Sequence, residues 1–133
     1  MEPKRREPDG RGGTILLVDD SDVVREVIAR MLRNGGFTVL AASGAEAAMS
    51  ISRSNGGSID LLLTDIAMPE TSGIELADRL AKERPDLPIL FMTGYAEEAV
   101  KGKGISGGNR EWIVKPFPQE RILARVRNIL ARR

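Results

Sequence analysis

The chain has 133 residues, 41% of them hydrophobic and 29% charged, which fits one folded domain rather than a disordered segment. A net charge of +1 gives no basic excess for direct nucleic-acid binding, and no apolar run reaches the roughly 20 residues of a membrane helix, so membrane insertion is not expected. The absence of cysteine and histidine excludes disulfides, thiolate or imidazole metal sites and histidine acid–base chemistry; it fits a cytoplasmic location and requires any metal to be held by oxygen.

Residues 1–13 read as a disordered tail or linker, with Lys4, Arg5, Arg6 and Arg11 among Glu2, Glu7, Asp9, Pro3 and Pro8. The expected folded domain, 14–131, then alternates strand and helix. Thr14–Val18 is a short continuous apolar run, as in a strand buried on both faces. Ser21 is placed to cap a helix with Val23, Val24, Val27, Ile28, Met31 and Leu32 at helical spacing, stopped by Gly35 and Gly36. Phe37–Ala41 predicts a second strand, Gly44–Ser54 a second helix, and Ile59–Thr64 a third strand ending at Asp65. Ser72–Glu83 predicts a helix closed before Pro85, and Leu87–Met92 a fourth strand. Glu111–Val114 predicts a short fifth strand, and Pro118 opens a last helix with Ile122, Val126, Ile129 and Leu130 facing inward.

This alternation predicts a doubly wound α/β fold, a parallel sheet with helices on both faces, whose ligands sit beyond the carboxyl ends of the strands. The residues there are Asp19, Asp20, Asp65, Thr93 and Lys115. Carboxylates about 4 Å apart repel by on the order of 4 kcal/mol per pair at an effective dielectric near 20. A hard divalent cation relieves that repulsion, and Mg²⁺, with Mn²⁺ as an alternative, suits Asp20 and Asp65 as direct ligands and Asp19 as a direct or water-mediated one. Asp65 is then the expected carboxylate nucleophile toward phosphorus, with Thr93 and Lys115 reaching the phosphoryl oxygens.

The runs Leu16-Leu-Val-Asp-Asp20, Leu63-Thr-Asp-Ile-Ala-Met-Pro69 with Gly73, Phe91-Met-Thr-Gly94 and Val114-Lys-Pro-Phe117 resemble the receiver domain of two-component response regulators. The resemblance spans Thr14 to Ala131, and Phe91-Met-Thr-Gly-Tyr-Ala96 particularly resembles receivers of hybrid histidine kinases and related single-domain regulators. It implies a flavodoxin-like five-stranded sheet of order 2-1-3-4-5. It also implies that Asp65 is the phosphoacceptor, fed by a sensor histidine kinase or histidine phosphotransfer protein in a phosphorelay. Asp19, Asp20, Asp65 and the Ala67 backbone carbonyl would bind Mg²⁺, Thr93 and Trp112 would form the switch pair, and Pro116 would follow a cis peptide bond.

Three features depart from the family pattern. Trp112 stands where a smaller ring is usual, and Ala67 where a polar residue is frequent. The glycine-dense stretch Lys101–Arg110 lacks an apolar stripe, so the helix between the fourth and fifth strands is expected to be short or absent, within a mobile loop. Two alternatives share the fold: an aspartyl-phosphate phosphatase, which usually needs a second acid where Ala67 stands, and a phosphorylation-independent scaffold. Gly102-Lys-Gly-Ile-Ser-Gly107 spells a dinucleotide fingerprint but lacks the strand before it and the acid after it. Arg25, Arg30 and Arg33 read as a solvated helix face, which on fold-level analogy is also a kinase docking surface.

Overall fold

The apolar runs 14–18, 61–65 and 89–93 become inner strands because both of their faces are covered, whereas 38–42 and 110–114 are only partly buried and form the edges. A computed structural model of the chain describes residues 12–55, 57–94 and 108–132. In chain order the elements are β1 (Thr14–Val18), α1 (Asp22–Asn34), β2 (Thr38–Ala42), α2 (Ala45–Ser54), β3 (Leu61–Asp65), α3 (Gly73–Glu83), β4 (Ile89–Thr93), β5 (Arg110–Val114) and α4 (Gln119–Ala131). The strands form one parallel sheet of order β2-β1-β3-β4-β5. The expected tail lies mostly outside the described residues, as do positions 95–107, where the short or absent helix was expected and the dinucleotide-like motif falls.

Strand side chains alternate between two cores. Ile15, Leu17, Leu61, Leu63, Leu90, Met92 and Ile113 face α1 and α4, whose Ile28, Leu32, Ile122 and Val126 complete that layer. Leu16, Val18, Leu62, Ile89 and Phe91 face α2 and α3, through Ala48, Met49, Leu76 and Leu80. Both faces of the sheet are therefore dry, and the functional end is left to the loops beyond the strands' carboxyl ends.

Strand ends differ slightly from the sequence reading. β3 begins at Leu61 rather than Ile59; just before it Asp60 is tied to the start of β1, its amide donating to the Thr14 carbonyl and its Oδ2 accepting from the Thr14 amide, both at 2.8 Å. The apolar stripe of α1 is also wider than the sheet can cover. Val23 stays 74% exposed and Val27 48% exposed. The outer edge of β5 is covered by Arg125 of α4, whose Nη2 donates to the Trp112 carbonyl at 2.9 Å and to Glu111 at 3.1 Å. Arg132 also pairs with Glu111, and these arginines hold the Glu111 carboxyl below its ordinary value.

Candidate functional site

The first acids are fixed by the turn from β1 into α1. The Asp19 amide donates to Ala42 O at 3.2 Å, and one Asp19 carboxylate oxygen accepts from the Ser21 amide at 2.9 Å. Ser21 in turn caps α1, its hydroxyl accepting from the Val24 amide at 3.2 Å. Asp19 is 1% exposed, whereas its neighbour Asp20 faces solvent.

Asp65 ends β3 and is 9% exposed. The strand order makes β1 and β3 neighbours, with Val18 opposite Thr64, so the acids beyond those positions meet at one edge. Carboxylate oxygens of Asp19, Asp20 and Asp65 all lie within 4.8 Å of one another. Lys115, just past β5, reaches the same place, its Nζ 3.4 Å from Asp19 Oδ2 and 3.6 Å from Asp65 Oδ2. It is carried there by the Lys115 amide, which donates to Thr93 O at 2.7 Å, and the Lys115–Pro116 peptide is cis.

These charges act on Asp65 in opposing directions. Burial pushes its carboxyl up, Lys115 pulls it down, and Asp19 and Asp20 push it up again. The net displacement is upward, with burial as its largest cause.

Thr93 ends β4 and is 2% exposed. It lies opposite Val114, and Phe91 lies opposite Trp112. Alternation along each strand therefore puts the Thr93 and Trp112 side chains on the same face of the sheet, diagonal to one another. Trp112 is half-buried against the layer that contains Phe91 and Leu76. Ala67 is exposed on the loop after Asp65, and Asp20 lines an open cleft with Ser43, Gly44, Met68, Pro69 and Thr71.

Two residues named in the sequence reading have roles it did not assign. Gly73 opens α3 directly against the site: a Cβ there would lie 2.1 Å from the Asp65 carbonyl oxygen, so only glycine fits. A glycine at the first position of a helix, where most residues serve better, is the signal that could have found it. Arg25 is the second, and it corrects the expected solvated arginine face. Its side chain is 20% exposed against 72% for Arg30, and its Nη1 donates to the Asp19 carbonyl at 2.8 Å.

A model of the response regulator receiver domain family matches residues 15–127. The chain belongs to that family. This receiver domain is 32% identical over 129 residues to the probable transcriptional regulatory protein TcrX of Mycobacterium tuberculosis, covering 96% of this chain and 53% of that protein. It is 34% identical over 117 residues to the sensor kinase CckA of Brucella abortus, covering 88% of this chain and 12% of the kinase. It thus spans about half, or less, of the length of these curated relatives. Among solved structures, the response regulator protein TrrA of Thermotoga maritima, in complex with Mg²⁺-BeF, matches with a TM-score of 0.76 at 29% identity, over 88% of this chain and 98% of that one. The receiver is a signalling domain of two-component systems.

The donor chemistry of the acidic edge fits a small hard cation. Asp19, Asp20 and Asp65 supply only oxygen, two of them buried and one open to solvent, with carboxylate oxygens within 4.8 Å of one another. No described helix is long and apolar enough to cross a membrane.

Proposed function

We propose that this receiver takes a phosphoryl group onto Asp65 from a phosphohistidine on a sensor kinase or phosphotransfer protein, and that the phosphorylated state switches a protein–protein contact. The observation that carries this reading is the convergence of three carboxylates and the Lys115 ammonium from three separate strand ends on one site at the carboxyl edge of the sheet, beside the open cleft that Asp20 lines. The functional unit is residues 14–131, with 1–13 as tail or linker.

In the transfer, an Asp65 carboxylate oxygen bonds to phosphorus as the phosphorus–nitrogen bond of the donor imidazole breaks. The departing nitrogen keeps the electron pair, and because the other ring nitrogen of the phosphohistidine carries a proton, the imidazole leaves neutral. Asp20, Asp65 and the Ala67 carbonyl would hold Mg²⁺ or Mn²⁺, with Asp19 direct or through water. When bound, the cation would neutralise charge on the phosphoryl oxygens. Lys115 would exchange its contacts to Asp19 and Asp65 for one to a phosphoryl oxygen, and the Thr93 hydroxyl would donate to another. Movement of Thr93 would free space on the sheet face it shares with Trp112, carrying the change to the surface. The catalysis is confined to the domain's own phosphorylation and slow dephosphorylation, and Ala67 offers no carboxylate for phosphatase turnover.

A donor protein must bring its imidazole to the mouth of this pocket. Val23, Val27, Met31, Pro116 and Phe117 line an apolar groove that also includes Lys115, so the groove and the pocket share a rim. We assign the donor to that groove. Beryllofluoride, a phosphoryl mimic, tests the site without a partner: with Mg²⁺ it is expected to raise the melting temperature, as any ligand specific to the native state does. No shift with both present would sink the reading.

A further inference from the structure

We propose that Arg25 is the positioning residue that sets the Asp19–Asp20 pair for cation binding, an inference that rests on the reading of those acids as cation ligands. The Arg25 guanidinium spans two acceptors. Nη1 donates to the Asp19 carbonyl at 2.8 Å, and Nη2 donates to Asp22 Oδ1 at 2.6 Å. The Asp19 carbonyl belongs to the peptide unit that joins Asp19 to Asp20. That unit is planar, so fixing its oxygen fixes its orientation, and with it the direction in which each acid leaves the backbone.

The rest of the turn is arranged so that this contact decides the geometry. Asp19 is already held through its amide to Ala42 and through its carboxylate to Ser21 and Lys115. Arg25 itself is seated by its own amide, which donates to Ser21 O at 2.9 Å in the first turn of α1. Asp20 is the exposed member of the three acids, and the orientation of its backbone is set by the peptide that Arg25 grips. Asp22, whose side chain is 87% exposed, holds the other arm of the fork in place. A planar, two-armed cation is suited to this bridge; a lysine in its place would reach one acceptor at a time.

The role predicts a loss of cation affinity out of proportion to any loss of stability. Residues that orient ligands without touching the metal typically contribute about 10-fold or more in affinity. The test is calorimetric titration of the wild-type protein, Arg25→Ala and Arg25→Lys with Mg²⁺, alongside metal-free melting of each. Arg25→Ala is expected to bind Mg²⁺ about 10-fold more weakly while keeping a native circular dichroism spectrum, and Arg25→Lys to recover only part of the loss. A folded Arg25→Ala with affinity within about two-fold of wild type would overturn the proposal. Full recovery in Arg25→Lys would overturn it too, because charge alone would then suffice. If Arg25→Ala does not fold, Arg25→Lys decides. Failure of the wild type itself to bind Mg²⁺ would overturn the reading beneath the proposal, and is distinguishable from both results above.

Discussion

Lys115 Nζ stands 3.6 Å from Asp65 Oδ2, a contact made across the carboxyl edge of the sheet between a residue that ends β3 and one that follows β5. The same ammonium lies 3.4 Å from Asp19, so a single cation serves two buried acids. Removing it leaves those acids without that offset and, on the proposed reading, removes a donor to the incoming phosphoryl oxygens. Lys115→Ala is expected to slow phosphorylation from acetyl phosphate about 100-fold at saturating Mg²⁺. Single-turnover rates followed by intact mass check this.

Metal-free stability should depend on pH through Asp65. Its carboxyl titrates above its ordinary value of 3.8 because of burial, and because repulsion from Asp19 and Asp20 adds to it, against the pull of Lys115. The folded state therefore binds the proton more tightly than the unfolded chain. This contribution to stability is fully present below the unfolded value and is lost as pH rises through the higher folded value. Asp65→Asn removes that dependence. Without metal at neutral pH the variant is expected to melt above wild type, with the gap closing as pH falls toward 4. Glu111, held below its ordinary value, contributes the opposite trend in both proteins and cancels in the difference.

Gly73→Ala should damage both fold and site. The added methyl would sit 2.1 Å from the Asp65 carbonyl oxygen, a backbone atom that cannot swing aside. Displacing α3 or the end of β3 is expected to cost about 1–3 kcal/mol in chemical denaturation. Phosphorylation should fall further than stability accounts for, because the displaced residue is the proposed nucleophile.

The exposed valines of α1 separate docking from chemistry. Val23→Ser and Val27→Ser alter positions that are 74% and 48% exposed, so stability should change by no more than about 0.5 kcal/mol. Phosphorylation by acetyl phosphate should be unchanged, whereas transfer from a phosphohistidine donor protein should slow. Equal transfer rates in both variants would exclude the groove as the docking surface.

The fold was legible because its signals are local. Five apolar runs, the serine before α1, the glycines after it and Pro85 after α3 each mark an element from neighbouring residues alone. The acids, Thr93 and Lys115 were legible because parallel α/β topology brings the residues past the strands to one edge. What escaped depends on contacts across the chain. Gly73 stands in the motif, but only the path from β3 into α3 shows that the helix starts against the Asp65 carbonyl. Arg25 resembles Arg30 in composition and spacing, and only the fold of the β1–α1 turn sends one inward and leaves the other in solvent. Val23 and Val27 sit on the apolar stripe by period, yet the sheet ends before covering them.

Intact-mass measurement after incubation with acetyl phosphate and Mg²⁺ tests the central claim most directly. Wild type is expected to gain one phosphoryl group, in a form labile to hydroxylamine as an acyl phosphate is, and Asp65→Asn to gain none. No gain in wild type, or an equal gain in Asp65→Asn, would contradict the assignment of Asp65 as the phosphoacceptor.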